Sequence, residues 1–161
     1  TACIGEQEVM QAAQQTFISS TFWTERIGSA AALKTLEVME REKSWEYITE
    51  KGNHISSQWK ILAEKYELDI NTWGIPALSG FTFNSANALS YKTLITQEML
   101  KQGYLAGNSV YVCMEHTQNV IDEYFTKLDP IFALIKDCEE GLDVETVLDG
   151  PLCHGDFKRL N

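Results

Sequence analysis

The chain has 161 residues with 44% apolar and 22% charged side chains, the composition of a soluble globular protein large enough for one compact domain, or one domain plus a piece of another. Its formal net charge of −10 excludes a general nucleic-acid binder, which needs a basic surface to replace counterions on phosphates. No apolar run approaches the roughly 20 residues that span a bilayer, which excludes a membrane-spanning helix.

The first residues, Thr1-Ala2-Cys3-Ile4-Gly5, read like a strand entered midway, so the natural start is expected upstream. Residues 24–42 predict a helix. Thr24 suits its cap and Glu25 its positive first turn, and Ile27, Ala30, Ala31, Leu36 and Met39 recur at helical spacing. The small residues from Gly28 to Ala32 suit close approach to another backbone. Residues 44–67 predict a second helix, with Trp45, Ile48, Ile55, Trp59, Leu62 and Tyr66 as one apolar stripe. Both tryptophans read as core. Gly52, inside this helix, marks a close contact or a bend.

Residues 73–83 contain Gly74, Pro76 and Gly80 and are expected to form an irregular or edge strand pair. A third helix is predicted over 90–102, closed by Gly103. Residues 109–114 form a short Val/Tyr-rich strand, expected to pair with 73–83 in a small sheet. The fourth helix, 117–140, carries Ile121, Tyr124, Leu128, Ile131, Ile135 and Cys138 on one face. Pro130 should kink or split it, and Gly141 should end it. The acidic runs 137–140 and 143–145 read as a solvated face. The tail, 144–161, predicts one short helix and an extended end. This order gives an α/β (α+β) fold.

Cys3, Cys113, Cys138 and Cys153 lack CxxC spacing and read as free thiols of a reducing compartment, which points to the cytoplasm. His54, His116 and His154 are too scattered for a metal site. His116, just before a helix start, reads as a hydrogen-bonded residue rather than a catalytic base, since no partner acid or nucleophile is identifiable.

Four stretches in order carry a resemblance. They are Thr16-Phe-Ile-Ser-Ser-Thr21-Phe-Trp-Thr-Glu-Arg-Ile-Gly28, continuing into the 30–39 helix; Gly74-Ile-Pro-Ala-Leu; Gln97-Glu-Met-Leu-Lys-Gln-Gly103-Tyr-Leu; and His116-Thr-Gln-Asn-Val-Ile-Asp122. Together they resemble the C-terminal part of class III aminotransferases, closest to the glutamate-1-semialdehyde 2,1-aminomutase-like proteins. The resemblance implies a fold type I enzyme using pyridoxal 5'-phosphate (PLP), active as a homodimer with the cofactor near the subunit interface. Residues 1–42 would be the end of the large PLP-binding domain. Residues 43–161 would be the small C-terminal domain, a short sheet covered by helices.

The resemblance also implies that the Schiff-base lysine and the acid pairing with the pyridine nitrogen lie upstream. No lysine precedes Lys34, which falls in the first helix. This chain alone is therefore expected to have no transaminase activity and to contribute no catalytic residue. One role carries over: Thr21, with Ser20 before it, matches the loop threonine that binds the PLP phosphate of the partner subunit. Phe22-Trp-Thr-Glu-Arg26 departs from the Ser-Gly-Asn-Pro-type stretch of many members, so the mutase's own substrate is not carried over. The implied function is movement of an amino group between an amino-acid-like donor and a carbonyl acceptor, or within one molecule. Racemisation and decarboxylation share the same lysine chemistry. A non-enzymatic α/β interaction module would use the aromatic helix faces as a binding surface.

Overall fold

The computed structural model describes residues 4–16, 21 and 25–155. The chain divides into two compact units, 1–42 and 43–161.

In the first unit, Ile4 and Gly5 belong to no regular element, so the strand expected there is not seen at those two residues; Thr1, Ala2 and Cys3 lie outside the described residues. A one-turn helix, α1 (Gln7–Met10), runs into a 3-10 turn at Gln11–Gln15. The long helix α2 (Arg26–Glu42) starts later than its sequence pattern suggests. Its first turn is capped by Glu25, whose carboxylate accepts from the backbone N–H groups of Ile27 (2.7 Å) and Gly28 (2.8 Å). A carboxylate there satisfies two donors that have no partner within the helix and meets the positive end of the dipole. Thr24, the expected cap, lies outside the described residues. Ile27, Leu33 and Leu36 are exposed.

The second unit is built on a three-stranded antiparallel sheet of β1 (Ile70–Ile75), β2 (Leu78–Phe83) and β3 (Ser109–Tyr111), in that spatial order. In place of the irregular or edge pair expected over 73–83 there is a regular hairpin, in which β1 is an edge strand and β2 is the central one. Pro76 is confined to the β1–β2 turn, where its missing N–H costs no ladder bond. Gly80 pairs with Trp73 on the outer face, and the indole covers it; a Cβ on Gly80 would sit 2.4 Å from that ring. An aromatic laid over a strand glycine replaces the packing the glycine lacks. Leu78 pairs with Tyr111 and Ser79 with Val110, so the expected pairing of 73–83 with 109–114 is present. The Val112 N–H adds one bond beyond β3, to the Ala77 carbonyl.

Helices α3 (Ser44–Lys65), α4 (Ala88–Lys101) and α5 (Gln118–Glu139) supply the rest of the core. Phe81 and Phe83, on one face of β2, meet Trp59 of α3, Tyr91 of α4 and Phe132 of α5 with ring centroids 4.9–5.9 Å apart. Gly103 and Gly141, at φ of 85° and 120°, follow α4 and α5 in the left-handed conformation their sequence positions suggest.

Two expectations need correcting. Trp59 is 1% exposed but Trp45 is 49% exposed, and Ile48 is only partly buried. Apart from Ser44, the buried residues of α3 begin at Gly52. The apolar stripe therefore outruns the core it covers, and its first two turns overhang. Pro130 neither splits nor ends α5, which is one helix across it. Pro130 and Thr126, whose carbonyl loses its helical donor, both lie on the exposed side, where water can replace the missing bond.

Gly52 is the point of closest approach between α3 and the hairpin. A Cβ there would lie 1.9 Å from the Pro76 carbonyl oxygen, so α3 or the turn would have to move. Gly52→Ala gains about 1 kcal/mol of helix propensity, but the overpacking costs about 1–3 kcal/mol. The net result expected in a urea titration is a lower midpoint, with a slope close to wild type.

Candidate functional site

In the first unit, Thr21 lies in a turn and is exposed, which leaves its hydroxyl accessible. Ser20 lies outside the described residues. Because the Glu25 carboxylate already occupies the Ile27 and Gly28 amides, those two donors at the start of α2 are committed. An anion near Thr21 would depend on the threonine and its own turn.

The second unit contains a small cavity of about 130 Å³ that opens to the surface. Ile55 and Trp59 of α3, Tyr104, Val110 of β3, His116 just before α5 and Tyr124 within α5 line it. The walls are largely apolar, and the main polar feature is internal. The Trp59 Nε1–H donates to the Tyr124 hydroxyl at 3.0 Å. Tyr124 as a residue is part-buried, but its hydroxyl is the enclosed end. Loss of solvent pushes that phenol up to about 12, opposed by the Trp59 hydrogen bond. Sequence reading placed Trp59 and Tyr124 in two core stripes. It had no signal for the bond between them, because the two residues lie on different helices.

Beside the cavity, residues 113–117 form a tight turn, with His116 N–H donating to the Cys113 carbonyl and Thr117 N–H to that of Glu115. The Thr117 hydroxyl then caps α5 through the Val120 N–H. The His116 carbonyl accepts from Tyr47 of α3 at 3.1 Å. Nδ1 of His116 accepts from the Cys113 backbone N–H at 3.0 Å and lies 3.2 Å from the Cys113 Sγ. His116 is thus hydrogen-bonded next to a helix start, as its sequence position suggests, and has a thiol partner that sequence reading did not pair with it.

Three lysines elsewhere in this unit are engaged by acids. Lys65 bonds Asp129, Lys101 bonds Glu98 and Asp149, and Lys136 bonds Glu67 and Glu140. These hydrogen bonds hold all three ammonium groups above the ordinary lysine range: Asp129 chiefly for Lys65, Asp149 for Lys101, and Glu67 for Lys136. Among the described residues, no helix is long and apolar enough to cross a membrane.

No family profile matches the chain. A 3-aminobutyryl-CoA aminotransferase from Cloacimonas acidaminovorans (strain Evry) is 31% identical over 125 residues, which cover 72% of this chain and 30% of that enzyme. Two solved structures share the fold. The FumI protein of Sphingopyxis sp. MTA144, in its PLP internal aldimine form, superposes with a TM-score of 0.71 at 17% identity, over 89% of this chain and 35% of that one. An S-selective transaminase from Arthrobacter sp. with alanine bound gives 0.66 at 20% identity, over 83% of this chain and 35% of that one. The chain corresponds in sequence and fold to the C-terminal part of a PLP-dependent aminotransferase. It spans about a third of the length of these relatives.

In this aminotransferase-like unit the Trp59–Tyr124 bond is open to a direct test. Tyr124→Phe leaves the indole N–H without its partner, at a cost of about 1–3 kcal/mol. The phenol's value rises from 10.0 to about 12 on folding. Between those two values the unfolded chain gives up a proton that the native state keeps, so stability falls as pH rises. The Tyr124 contribution is fully present below pH 10.0 and is lost on approaching about 12. Urea midpoints measured across this range should fall more steeply for wild type than for Tyr124→Phe; parallel slopes would show that the phenol is not enclosed.

Proposed function

We propose that this chain is the C-terminal portion of a PLP-dependent aminotransferase that moves an amino group from an amino-acid-like donor to a carbonyl acceptor. The observation that carries the reading is the 31% identity to the 3-aminobutyryl-CoA aminotransferase over 72% of the chain. That relative transfers an amino group between molecules. It therefore favours intermolecular transfer over the aminomutase, racemase and decarboxylase readings. The fold match over 89% of the chain to a PLP-containing protein weighs against a free-standing interaction module.

In this reading, residues 1–42 close a large cofactor domain, residues 43–161 form the small domain, and the active form is a homodimer. The described residues fit only the rim of a PLP site. A Schiff-base amine must be available uncharged. Hydrogen-bonded acids drive Lys65, Lys101 and Lys136 the opposite way. The cavity is lined by no lysine. The lysine is assigned, on the family resemblance, to sequence outside this chain. When bound, PLP supplies the electron sink for amino transfer. The contribution proposed for this chain is positional: the Thr21 hydroxyl, with Ser20 beside it, holds the cofactor phosphate of the partner subunit and fixes its orientation without taking part in bond-making.

Two measurements test this. Incubation of the 161-residue chain with PLP, followed by borohydride reduction and peptide mapping, should give no saturable single-lysine adduct. A stoichiometric adduct at one lysine would overturn the assignment of the lysine elsewhere. In a protein that joins this sequence to a cofactor domain, Thr21→Val should weaken PLP binding by about 10- to 100-fold, since a hydrogen bond to a charged group contributes roughly 1.5–3 kcal/mol. Its apo form should melt with wild type. Equal affinity would remove Thr21 from the site.

A further inference from the structure

We propose that Cys113 and His116 form a thiol–imidazole pair that reacts with small neutral disulfides, with the adjoining apolar cavity seating the disulfide's substituent. This inference uses only residues of the second unit and does not depend on the cofactor reading.

Three observations converge on the pair. The first is geometry. The Cys113 Sγ lies 3.2 Å from Nδ1 of His116, and the Cys113 backbone N–H donates to the same nitrogen at 3.0 Å. A donor on Nδ1 keeps the ring proton on Nε2, so the single Nδ1 lone pair is shared between the Cys113 N–H and the thiol, and it can take the thiol proton by giving up the backbone bond. The ring is held in place: the 113–117 turn closes on itself, and Tyr47 anchors the His116 carbonyl. A nucleophile with its base in hydrogen-bond reach, and that base fixed by further bonds, is the arrangement thiol chemistry requires.

The second observation is access. Cys113 is exposed, Cys138 is buried, and Cys153 is part-buried with its sulfur directed at the Leu89 carbonyl. Among these three thiols, only Cys113 combines solvent access with a neighbouring base. The third is the cavity of about 130 Å³, which His116 lines together with Tyr104, Val110 and Tyr124. The imidazole thus touches both the thiol and a largely apolar space large enough for part of a small aromatic ring.

The step balances with a disulfide as the co-reactant. As the Cys113 sulfur attacks one sulfur of RS–SR, its proton passes to His116 Nδ1, which releases the Cys113 backbone N–H. A Cys113–S–SR bond forms and the RS–SR bond breaks. The departing RS⁻ leaves with the electron pair, and the imidazolium returns its proton to it or to water. Cys113 is oxidised and the disulfide is reduced.

The test uses the full chain and dithiodipyridine, a neutral aromatic disulfide whose released thiopyridone is read by absorbance. Peptide mass spectrometry resolves the rate at each cysteine. In the folded protein Cys113 should react on the order of 10- to 100-fold faster than in the same chain unfolded in urea, and His116→Gln should remove most of that advantage while leaving Cys153 unchanged. The folded-to-unfolded comparison needs no variant, so it decides the matter even if His116→Gln fails to fold. The Cys113 rate should saturate with dithiodipyridine concentration and stay linear with 2-hydroxyethyl disulfide, which is also neutral but has no aromatic group to seat. Equal Cys113 rates in folded and unfolded chain, or in wild type and a folded His116→Gln, would overturn the pair. A strictly linear dependence on dithiodipyridine would overturn the role of the cavity.

Discussion

The second unit is organised by two side chains on one face of one strand. Phe81 and Phe83 project from the centre of the sheet, and each long helix answers with one aromatic: Trp59 from α3, Tyr91 from α4 and Phe132 from α5. The rings meet tilted or edge-on rather than face-on, the geometry that the aromatic quadrupole favours and that adds to simple area burial. Because the strand alternates, taking Phe81 and Phe83 inward sends Gly80 and Thr82 outward. The sheet is therefore covered by helices on one side. On the other side it carries its own patch, the Trp73 indole over Gly80. A one-residue slip of β2 would exchange the two faces, so the aromatic seam also fixes the register.

Close approach at Gly52 follows from the same seam. Trp59 sits two turns further along α3, and drawing it against Phe81 brings the helix onto the hairpin turn at Pro76. Only a residue without a Cβ allows that approach, so Gly52's cost in helix propensity is offset by packing elsewhere. The Trp59–Tyr124 hydrogen bond serves the seam on its polar side. An indole buried to this depth needs a partner for its N–H, and α5 provides the phenol.

Chemistry is distributed unevenly over the chain. Lys65, Lys101 and Lys136 of the second unit are tied to acids and held charged, which suits solubility and surface pairing rather than amine chemistry. At the start of α2 a carboxylate already answers the helix dipole, so the Ile27 and Gly28 amides are committed. Among the described residues, the one thiol with a neighbouring base lies just before α5, where a turn tight enough to cap the helix also presses Cys113 against His116.

Periodicity alone was enough to find the four long helices, because their apolar stripes repeat over many turns and Gly103 and Gly141 mark two of the ends. The Val/Tyr run at 109–114 and its pairing with the glycine-containing hairpin were legible too, as was Gly52 as a contact point. The aminotransferase likeness was carried by four short motifs in order, since local motifs survive in sequence when their spacing does. Which end of the α3 stripe is covered was not legible: Trp45 and Trp59 have the same spacing signal, and only the extent of the sheet beneath the helix leaves the first exposed. Nor could sequence place β2 at the centre of the sheet, since strand order depends on which partner reaches each edge. Pro130 reads as a break until the solvent-facing side of α5 is known. The Trp59–Tyr124 bond joins residues 65 positions apart, and the Cys113–His116 contact depends on how one turn closes. Sequence fixes which residues are available and how they repeat; pairing at a distance and side-chain direction come only from the packed chain.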